Sequence, residues 1–98
     1  MAAVGVAEDN LILFAGGSGN AYNYNGIGYN KVPSRPSAHV WGFDTVKNDY
    51  VVFADKPTAT MDHRRLIDLG GGRFATLGGM GEDQRVLGAL DIWDLKAR

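Results

Sequence analysis

The run Asp62-His63-Arg64-Arg65 contains residue types that could do chemistry on a ligand. The guanidinium of Arg64 or Arg65 could hold a polar or acidic ligand, and His63 could serve as an acid or base beside it. The alternative is structural, because ion pairs that brace a fold are common. On that interpretation, which the sequence favours, an arginine pairs with Asp62 or Glu82.

The segment 18–36 interleaves tyrosines with asparagines. Tyrosine supplies stacking area and a hydroxyl at low entropic cost, and asparagine supplies paired donors and acceptors, a combination that suits sugars and peptides. The alternative is a compact loop packed by its own tyrosines, with Asn and Gly in left-handed turns. Together the two segments give the candidate ligand- or partner-binding residues Asn20, Tyr22, Tyr24, Asn25, Tyr29, Asp62, His63, Arg64 and Arg65.

Other motifs predict no further site. His39 begins a strand beside Trp41 and has no catalytic partner in the sequence. Glu82 and Asp83 lack the spacing of a calcium loop. Gly16–Gly19 follows an apolar strand as a phosphate-binding loop would, but no helix opens after it. With no cysteine in the chain, the sequence predicts no metal site, no cofactor and no catalytic residues.

Composition limits the class of protein and its partners. The chain has 98 residues, 45% of them hydrophobic, which suits one small folded domain. Its net charge of −1 carries no electrostatic signature of nucleic-acid or membrane binding. No apolar run is long enough to span a membrane. The N-terminus does not resemble a signal peptide, which favours the cytoplasm although the compartment stays open.

The elements that must position these residues are strands. Short runs rich in Val, Ile, Phe, Tyr and Trp alternate with Gly, Asn and Asp clusters, and no helical apolar stripe occurs. Seven strands at close, regular spacing predict an all-β antiparallel meander. They are Ala2–Ala7, Leu11–Ala15, Ser37–Asp44, Asp49–Ala54, Arg64–Leu69, Arg73–Leu77 and Gly88–Leu95.

The meander places the long loops together. Alternate loops of an antiparallel meander lie on the same edge, and here the segments 18–36, 55–63 and 80–87 share one edge. The opposite edge receives only the tight turns 8–10, 45–48 and 70–72. Binding residues tend to lie on loops held by a rigid scaffold, so function is expected at the first edge.

An internal repeat organises the strands. Leu11–Gly17 resembles Arg73–Gly79, since each is a strand that ends in Gly-Gly. Val40-Trp41 resembles Ile92-Trp93 farther along the chain. The second glycines are 62 residues apart and the tryptophans 52, so the first copy contains an insertion in a repeat of about 50 residues.

These residues resemble the kelch repeat of β-propellers. A kelch blade has an apolar second strand ending in Gly-Gly, a third strand with an aromatic and an acidic residue, and a fourth strand with an aromatic residue and often a trailing proline. The first copy matches at Leu11–Gly17, Trp41, Asp44, Tyr50 and Pro57, with Tyr50 where the family usually has tryptophan. The segment Tyr22–Tyr29, with the run Met61–Arg64, also resembles bacterial kelch-containing proteins.

The second copy is incomplete. It matches at Arg73–Gly79 and Asp91–Leu95, and then the sequence ends before a fourth strand. The resemblance implies a first kelch-like blade over residues 1–58, with the insert 18–36, and an incomplete second blade over residues 59–98. It assigns a structural repeat role to Gly16, Gly17, Trp41, Tyr50, Gly78, Gly79 and Trp93.

The resemblance leaves three functions open. The first is a non-catalytic binding module that presents the Tyr/Asn-rich face to a protein or carbohydrate, and this is the one favoured. The second is part of a propeller enzyme such as a sugar epimerase or mutarotase, with Asp62, His63 and Arg64 at a channel mouth. The third is a propeller fragment without its own ligand.

The length of the chain bears on its partners. A propeller needs about four to eight blades, whereas seven strands make fewer than two. Blades with two apolar faces must stack on neighbours. We therefore expect self-association, with three or four chains in a ring, or packing against the remainder of a longer propeller. A two-sheet sandwich that folds on itself is the third arrangement that this length allows.

Overall fold

The computed structural model describes residues 2–7, 10–63 and 65–98. Its strands form two antiparallel sheets in which strands that follow one another in sequence are paired. The first sheet has four strands and the second has three, so the predicted all-β fold is confirmed, and the sheets do not close into a barrel. In the described ranges no helix is long and apolar enough to cross a membrane. The strands are β1 (Ala3–Ala7), β2 (Leu11–Ala15), β3 (Val40–Asp44), β4 (Asp49–Phe53), β5 (Ile67–Gly70), β6 (Arg73–Leu77) and β7 (Leu90–Asp94).

Four strands begin later than the sequence predicts, β1 and β7 by one and two residues and β3 and β5 by three. The sequence predicts β3 from Ser37, but the Ser37 hydroxyl accepts a hydrogen bond of 3.0 Å from the His39 amide, a local turn that precedes the strand. The sequence predicts β5 from Arg64, which lies outside the described residues. The Leu66 amide donates to the carbonyl of Val4 in β1 at 3.2 Å, so the segment before β5 bonds to the other sheet.

The loop between β6 and β7 also differs from its prediction. The sequence predicts an irregular loop over 80–87, whereas Glu82–Gln84 forms a short 3₁₀ turn. Asp83 and Gln84 adopt left-handed backbone conformations there. Leu87 returns to the sheet through a hydrogen bond of 2.9 Å from its amide to the Gly79 carbonyl. The turn therefore makes this loop compact.

A hydrophobic core lies between the two sheets. Leu13 and Val40 of the first sheet are buried against Phe74 and Trp93 of the second. Leu66 fills the space beside Gly5, where an added Cβ would lie 3.1 Å from the Leu66 Cβ. Burial of several large apolar side chains between the sheets provides the main stabilising free energy. The two sheets are therefore one packed body.

Lys56 braces this core. Its side chain is fully buried, its Nζ lies 3.0 Å from the Asp91 carboxylate, and it also donates to the Thr58 carbonyl. The same ammonium lies 5.7 Å from the ring centroid of Trp93, which is within range of a cation–π interaction. The residue leaves the first sheet after β4 and reaches β7 of the second. This ion pair joins the sheets where the sequence predicted an arginine pair.

The segment after β7 returns to the first sheet. The Ala54 amide donates to the Lys96 carbonyl at 2.8 Å, and Phe53 pairs with Ala97 in an isolated bridge. The second sheet thus has three strands, and the residues that follow β7 bond to the end of β4. Together with the bond between Leu66 and Val4, this pairing links the sheets at two places.

Candidate functional site

The three long loops meet at one edge of the sheets. The Gly17 amide donates to the Thr60 carbonyl at 2.9 Å, and Met61 and Met80 exchange two backbone hydrogen bonds of 2.7 and 2.8 Å. The connector at Thr60 and Met61 therefore runs between the Gly-Gly corners of both sheets. This arrangement agrees with the edge that the meander predicts.

Glycine is required at these corners. Gly16 and Gly79 have φ of 77° and 88°, conformations that side chains strain to adopt. A Cβ on Gly16 would lie 2.5 Å from the Thr60 carbonyl oxygen. A Cβ on Gly79 would lie 2.5 Å from the His63 ring and 2.8 Å from the Met61 carbonyl oxygen. The corners thus allow the connector to approach both units closely.

The insert 18–36 is held by its own backbone. Three backbone hydrogen bonds of 2.8 or 2.9 Å cross the loop. They run from the amides of Asn23, Gly28 and Ser34 to the carbonyls of Ile27, Val32 and Gly26, respectively. The Asn25 and Asn30 side chains accept hydrogen bonds from amides two residues ahead, as in Asx turns. The loop is therefore compact, as one interpretation of the sequence held.

Tyr24 and Tyr29 do not pack the loop, which corrects that interpretation in one respect, whereas Tyr22 is half-buried. The side chains of Tyr24 and Tyr29 are 95% and 72% exposed. Backbone hydrogen bonds and Asx turns, rather than aromatic packing, hold the loop together. The rings are left at the surface on a constrained backbone, where they lose little additional entropy on contact with a ligand.

The insert also rests on the second unit. The Gln84 side chain donates to the Ser34 carbonyl at 2.9 Å. A Cβ on Gly26 would lie 2.5 Å from the Gln84 Cγ and 2.6 Å from the Met80 Sδ, so glycine admits the second loop at this point.

One groove combines the insert with the connector. A space of about 470 Å³ is lined by residues 18–24 and by Asp62. Burial raises the pKa of Tyr22, and the nearby Asp62 carboxylate raises it further. The phenol therefore stays protonated at neutral pH and can donate a hydrogen bond. The sequence candidates Asn20, Tyr22, Tyr24 and Asp62 come together here.

A second groove adjoins the first at Asp62. It occupies about 320 Å³ and is lined by Asp62, His63 and Arg65 on one side and by Ile67, Leu77 and Gly79. Asp62 has a left-handed φ of 62°, and its side chain is exposed between the two grooves. The combined edge therefore offers a carboxylate, a guanidinium and a phenol to a ligand, whereas the imidazole of His63 is buried behind them.

His63 is held as a neutral side chain. Its Nε2 lies 2.5 Å from the Thr60 hydroxyl, and its ring lies against Gly79. Burial lowers the pKa of His63, and the positive charge of Lys56 lowers it further. At neutral pH the ring is therefore uncharged and could accept a proton, while one of its nitrogens is already engaged by Thr60.

Two of the predicted site residues lie outside both grooves, and a third lies outside the described residues. Asn25 and Tyr29 belong to the insert but do not line either groove. Arg64 lies outside the described residues. Among the described residues, Arg65 forms no ion pair with Asp62 or Glu82, since the pairs found are Lys56–Asp91, Arg73–Asp94 and His39–Asp55. The expected arginine brace is therefore not formed by Arg65.

The opposite edge has a cleft that sequence reasoning missed. About 400 Å³ opens between the sheets, with Leu11, Phe53 and Phe74 among its apolar lining and Asp44 and Asp68 among its polar lining. Both carboxylates accept hydrogen bonds from backbone amides of their own turns. Hydrogen bonding to the Lys47 amide lowers the pKa of Asp44. These acidic groups cap turns, so we take the loop edge as the candidate site.

The predicted repeat residues occupy corresponding places. Gly16 and Gly17 follow β2 as Gly78 and Gly79 follow β6, and all four have positive φ. Trp41 pairs with Phe14 in the β2–β3 ladder, and Trp93 pairs with Phe74 in the β6–β7 ladder. Tyr50 lies on β4 with its ring 5.7 Å from that of Trp41.

Comparison with family models, curated proteins and solved structures finds no match to this chain. In the portion of the chain that the structure describes, no group of three or more His, Asp or Glu side chains is arranged to hold a metal ion. The candidate function is therefore inferred from the geometry of the loop edge.

Proposed function

We propose that the chain is a kelch-type binding module whose loop edge takes a carbohydrate or a protein, and that a carbohydrate fits it best. The observation that carries this proposal is the groove where the insert meets Asp62. An exposed ring at Tyr24, the phenol of Tyr22, the amide of Asn20 and the Asp62 carboxylate surround it. Sugars present hydroxyl groups for such donors and acceptors and C–H faces for aromatic rings.

The construction of the insert supports the proposal. Backbone hydrogen bonds hold the loop, so the groove is formed before a ligand arrives. Preorganisation reduces the entropic cost of binding. Its volume of about 470 Å³ lies within the range of small-molecule sites.

The assignment to kelch-like blades is part of the same proposal. Two sheets with strands in sequential order, each with a Gly-Gly corner after its second strand, support units at 1–58 and 59–98. The contact between the innermost strands, through Leu66 and Val4, is also what stacked blades would make. A ring of several chains, or the rest of a longer propeller, would complete the arrangement.

The proposal is tested by NMR titration of the isotopically labelled chain with a panel of monosaccharides and disaccharides. We expect shifts in the amides of residues 18–24 and Asp62. Tyr24→Ala should weaken binding about 2- to 10-fold, the loss of one aromatic contact. Tyr29→Ala is the matched control, because this exposed tyrosine lies outside the groove.

Three results would count against carbohydrate binding. Equal weakening by both tyrosine variants would remove the groove from the argument. Shifts at the same amides with extended peptides but with no sugar would assign the edge to a protein partner. The absence of shifts with both the sugars and the peptides would favour a propeller fragment without its own ligand.

A second candidate is part of a sugar epimerase or mutarotase. It is favoured by the presence of Asp62, a neutral His63 and Arg65 in one groove. A mutarotase would accelerate exchange between the anomers of a reducing sugar and an epimerase would convert one sugar into its epimer, both measured by NMR, and Asp62→Asn would abolish either activity. Sugar binding without any catalytic acceleration would favour the non-catalytic binding module.

A further inference from the structure

The outward face of the four-stranded sheet is apolar and largely aromatic. Strand register places Phe14, Trp41, Tyr50 and Val52 on this face, away from the core. The rings of Phe14 and Trp41 stack at 4.2 Å between centroids, and Tyr50 lies 5.7 Å from Trp41. Tyr50 and Val52 are 66% and 47% exposed. We call this surface, with Val4, Ile12 and Phe43, the aromatic face.

The outward face of the three-stranded sheet is apolar and aliphatic. Its register brings Ile67, Ala75 and Ile92 side by side, with Leu77 and Leu90 as the next cross-strand pair. Leu77 and Leu90 are 64% and 56% exposed. Charged groups border this face: Arg73 and Asp94 pair with each other at 3.1 Å, and Arg65 lines a groove beside Ile67 and Leu77. We call this surface, with Leu69, the aliphatic face.

The repeat relates these free faces to the interface inside the chain. The alignment of the Gly-Gly corners and tryptophans makes Phe74 and Trp93 the counterparts of Ile12 and Trp41. It makes Leu13, Ala15 and Val40 the counterparts of Ala75, Leu77 and Ile92. Within the chain, Phe74 and Trp93 pack on Leu13, Ala15 and Val40. The buried interface is therefore a tryptophan-bearing face on an aliphatic face.

The two exposed faces are the unmatched halves of that same contact. The first sheet presents its tryptophan-bearing face outward, and the second presents its aliphatic face outward. Neither of these faces can reach the other within one chain, because the two sheets already pack through their opposite sides. A second copy, however, can place its aliphatic face on the aromatic face of the first.

We propose that copies of this chain associate head to tail, with the aliphatic face of one copy covering the aromatic face of the next. Such an interface is heterologous, so it propagates into a ring if the rotation closes and into a filament if it does not. The arrangement repeats at each new junction the packing that holds the two sheets together. Two sheets per copy give about six or eight sheets from three or four copies, within the range of propeller rings.

The size of the exposed surface supports a partner for it. Seven large apolar side chains share the aromatic face and five share the aliphatic face. Contiguous patches of this kind are rare on soluble monomers and mark interaction sites. A copy of the same chain is the occupant that the internal interface specifies, since it brings the matching face at the matching repeat position.

The test begins with the mass of the 98-residue chain in solution, by light scattering across a range of concentrations. We expect a mass of at least three chains of 10.5 kDa each. Val52→Glu places a charge in the aromatic face, and Ile92→Glu places one in the aliphatic face. Each variant alone should be a monomer, because each has lost one half of the interface. Val46→Glu, at an exposed turn position outside both faces, should keep the wild-type mass.

Mixing the two variants distinguishes head-to-tail packing from a symmetric dimer. The Ile92→Glu chain retains its aromatic face and the Val52→Glu chain retains its aliphatic face, so an equimolar mixture should give a one-to-one complex of twice the monomer mass. If an aromatic face paired with its own copy, Ile92→Glu alone would stay dimeric and mixing would add nothing.

Circular dichroism checks that each variant is folded, and Tyr50→Glu with Leu77→Glu repeats the test at more exposed positions. A wild-type chain that stays monomeric at high concentration overturns the proposal and leaves the faces to other sheets of a longer polypeptide. Unchanged masses for both face variants, or a mixture that forms no complex, overturn it as well.

Discussion

At the scale of single residues, His63 connects the candidate site to the stability of the fold. The ring is buried beside Gly79 and hydrogen-bonded to the Thr60 hydroxyl. Burial lowers the pKa of the ring from the ordinary value of 6.5. In the unfolded chain the ring takes up a proton as the pH falls below 6.5, whereas the folded chain resists protonation. The folded state is therefore favoured above this pH and loses stability below it.

His63→Gln should remove this contribution to the pH dependence. In the wild-type chain the free energy of unfolding should fall as the pH falls below 6.5, until the folded pKa is passed. The contribution of His63 to this slope cannot exceed about 1.4 kcal/mol per pH unit, the limit for one proton. Urea unfolding between pH 8 and 5 measures the slope, and His39→Gln, at the exposed second histidine, should retain it. A wild-type slope that persists in His63→Gln would contradict the assignment.

Some residue-scale features were predictable and others were not. The placement of His63 in the connector before β5 followed from the loop pattern, although β5 begins at Ile67 rather than at Arg64. The pairing of Lys56 with Asp91 did not, because the partners are 35 residues apart and belong to different sheets. Sequence reasoning assigned the brace to an arginine near Asp62, since it could weigh charge and proximity along the chain but not the packing that desolvates Lys56.

At the scale of elements, the Gly-Gly corners decide how the connector passes between the sheets. Gly79 has a φ of 88° and leaves no room for a Cβ next to His63 and Met61. Gly71, in the β5–β6 turn, also has a positive φ, of 62°, but has open space around it. Gly71 therefore has the strained backbone conformation without a close contact, whereas Gly79 has both.

Gly79→Ala should destabilise the fold by about 3 kcal/mol, because a strained backbone conformation is added to a steric clash. Gly71→Ala should cost only about 1 kcal/mol, the conformational part alone. Chemical denaturation of both variants measures the difference. Equal losses would mean that the connector moves aside from Gly79 at no cost, contrary to the role we assign to the corner.

The strands were predictable where their own pattern is strong. β2 and β6 are short apolar runs ended by Gly-Gly, and both limits agree with the structure. The beginnings of β3 and β5 were wrong, because Ser37 forms a local turn and Leu66 bonds to β1. Those contacts depend on the tertiary arrangement. A compact loop was one of two interpretations of the insert, but the left-handed residues there are Gly26 and Lys31 rather than asparagines. Its hydrogen-bonded backbone could not be predicted from tyrosine and asparagine content.

At the scale of the whole molecule, the two predicted units share one core. Leu13 and Val40 from the first unit pack with Phe74 and Trp93 from the second, and backbone bonds join the sheets at Val4 and Ala54. Neither sheet could bury its inner face without the other. The division at residue 58 therefore describes a repeat in sequence rather than two independently stable domains.

The chain should accordingly unfold in one cooperative transition. Each sheet contains one tryptophan, so Trp93→Phe leaves a fluorescent reporter in the first sheet and Trp41→Phe leaves one in the second. In each variant the fluorescence and circular dichroism transitions in urea should coincide, because loss of the shared core removes the support of both sheets together. Trp93→Phe should lower the midpoint more, since Trp93 is buried in the core whereas Trp41 lies on the aromatic face. If the reporter in the three-stranded sheet changed at lower urea than the circular dichroism, that sheet would unfold separately and the shared core would not govern stability.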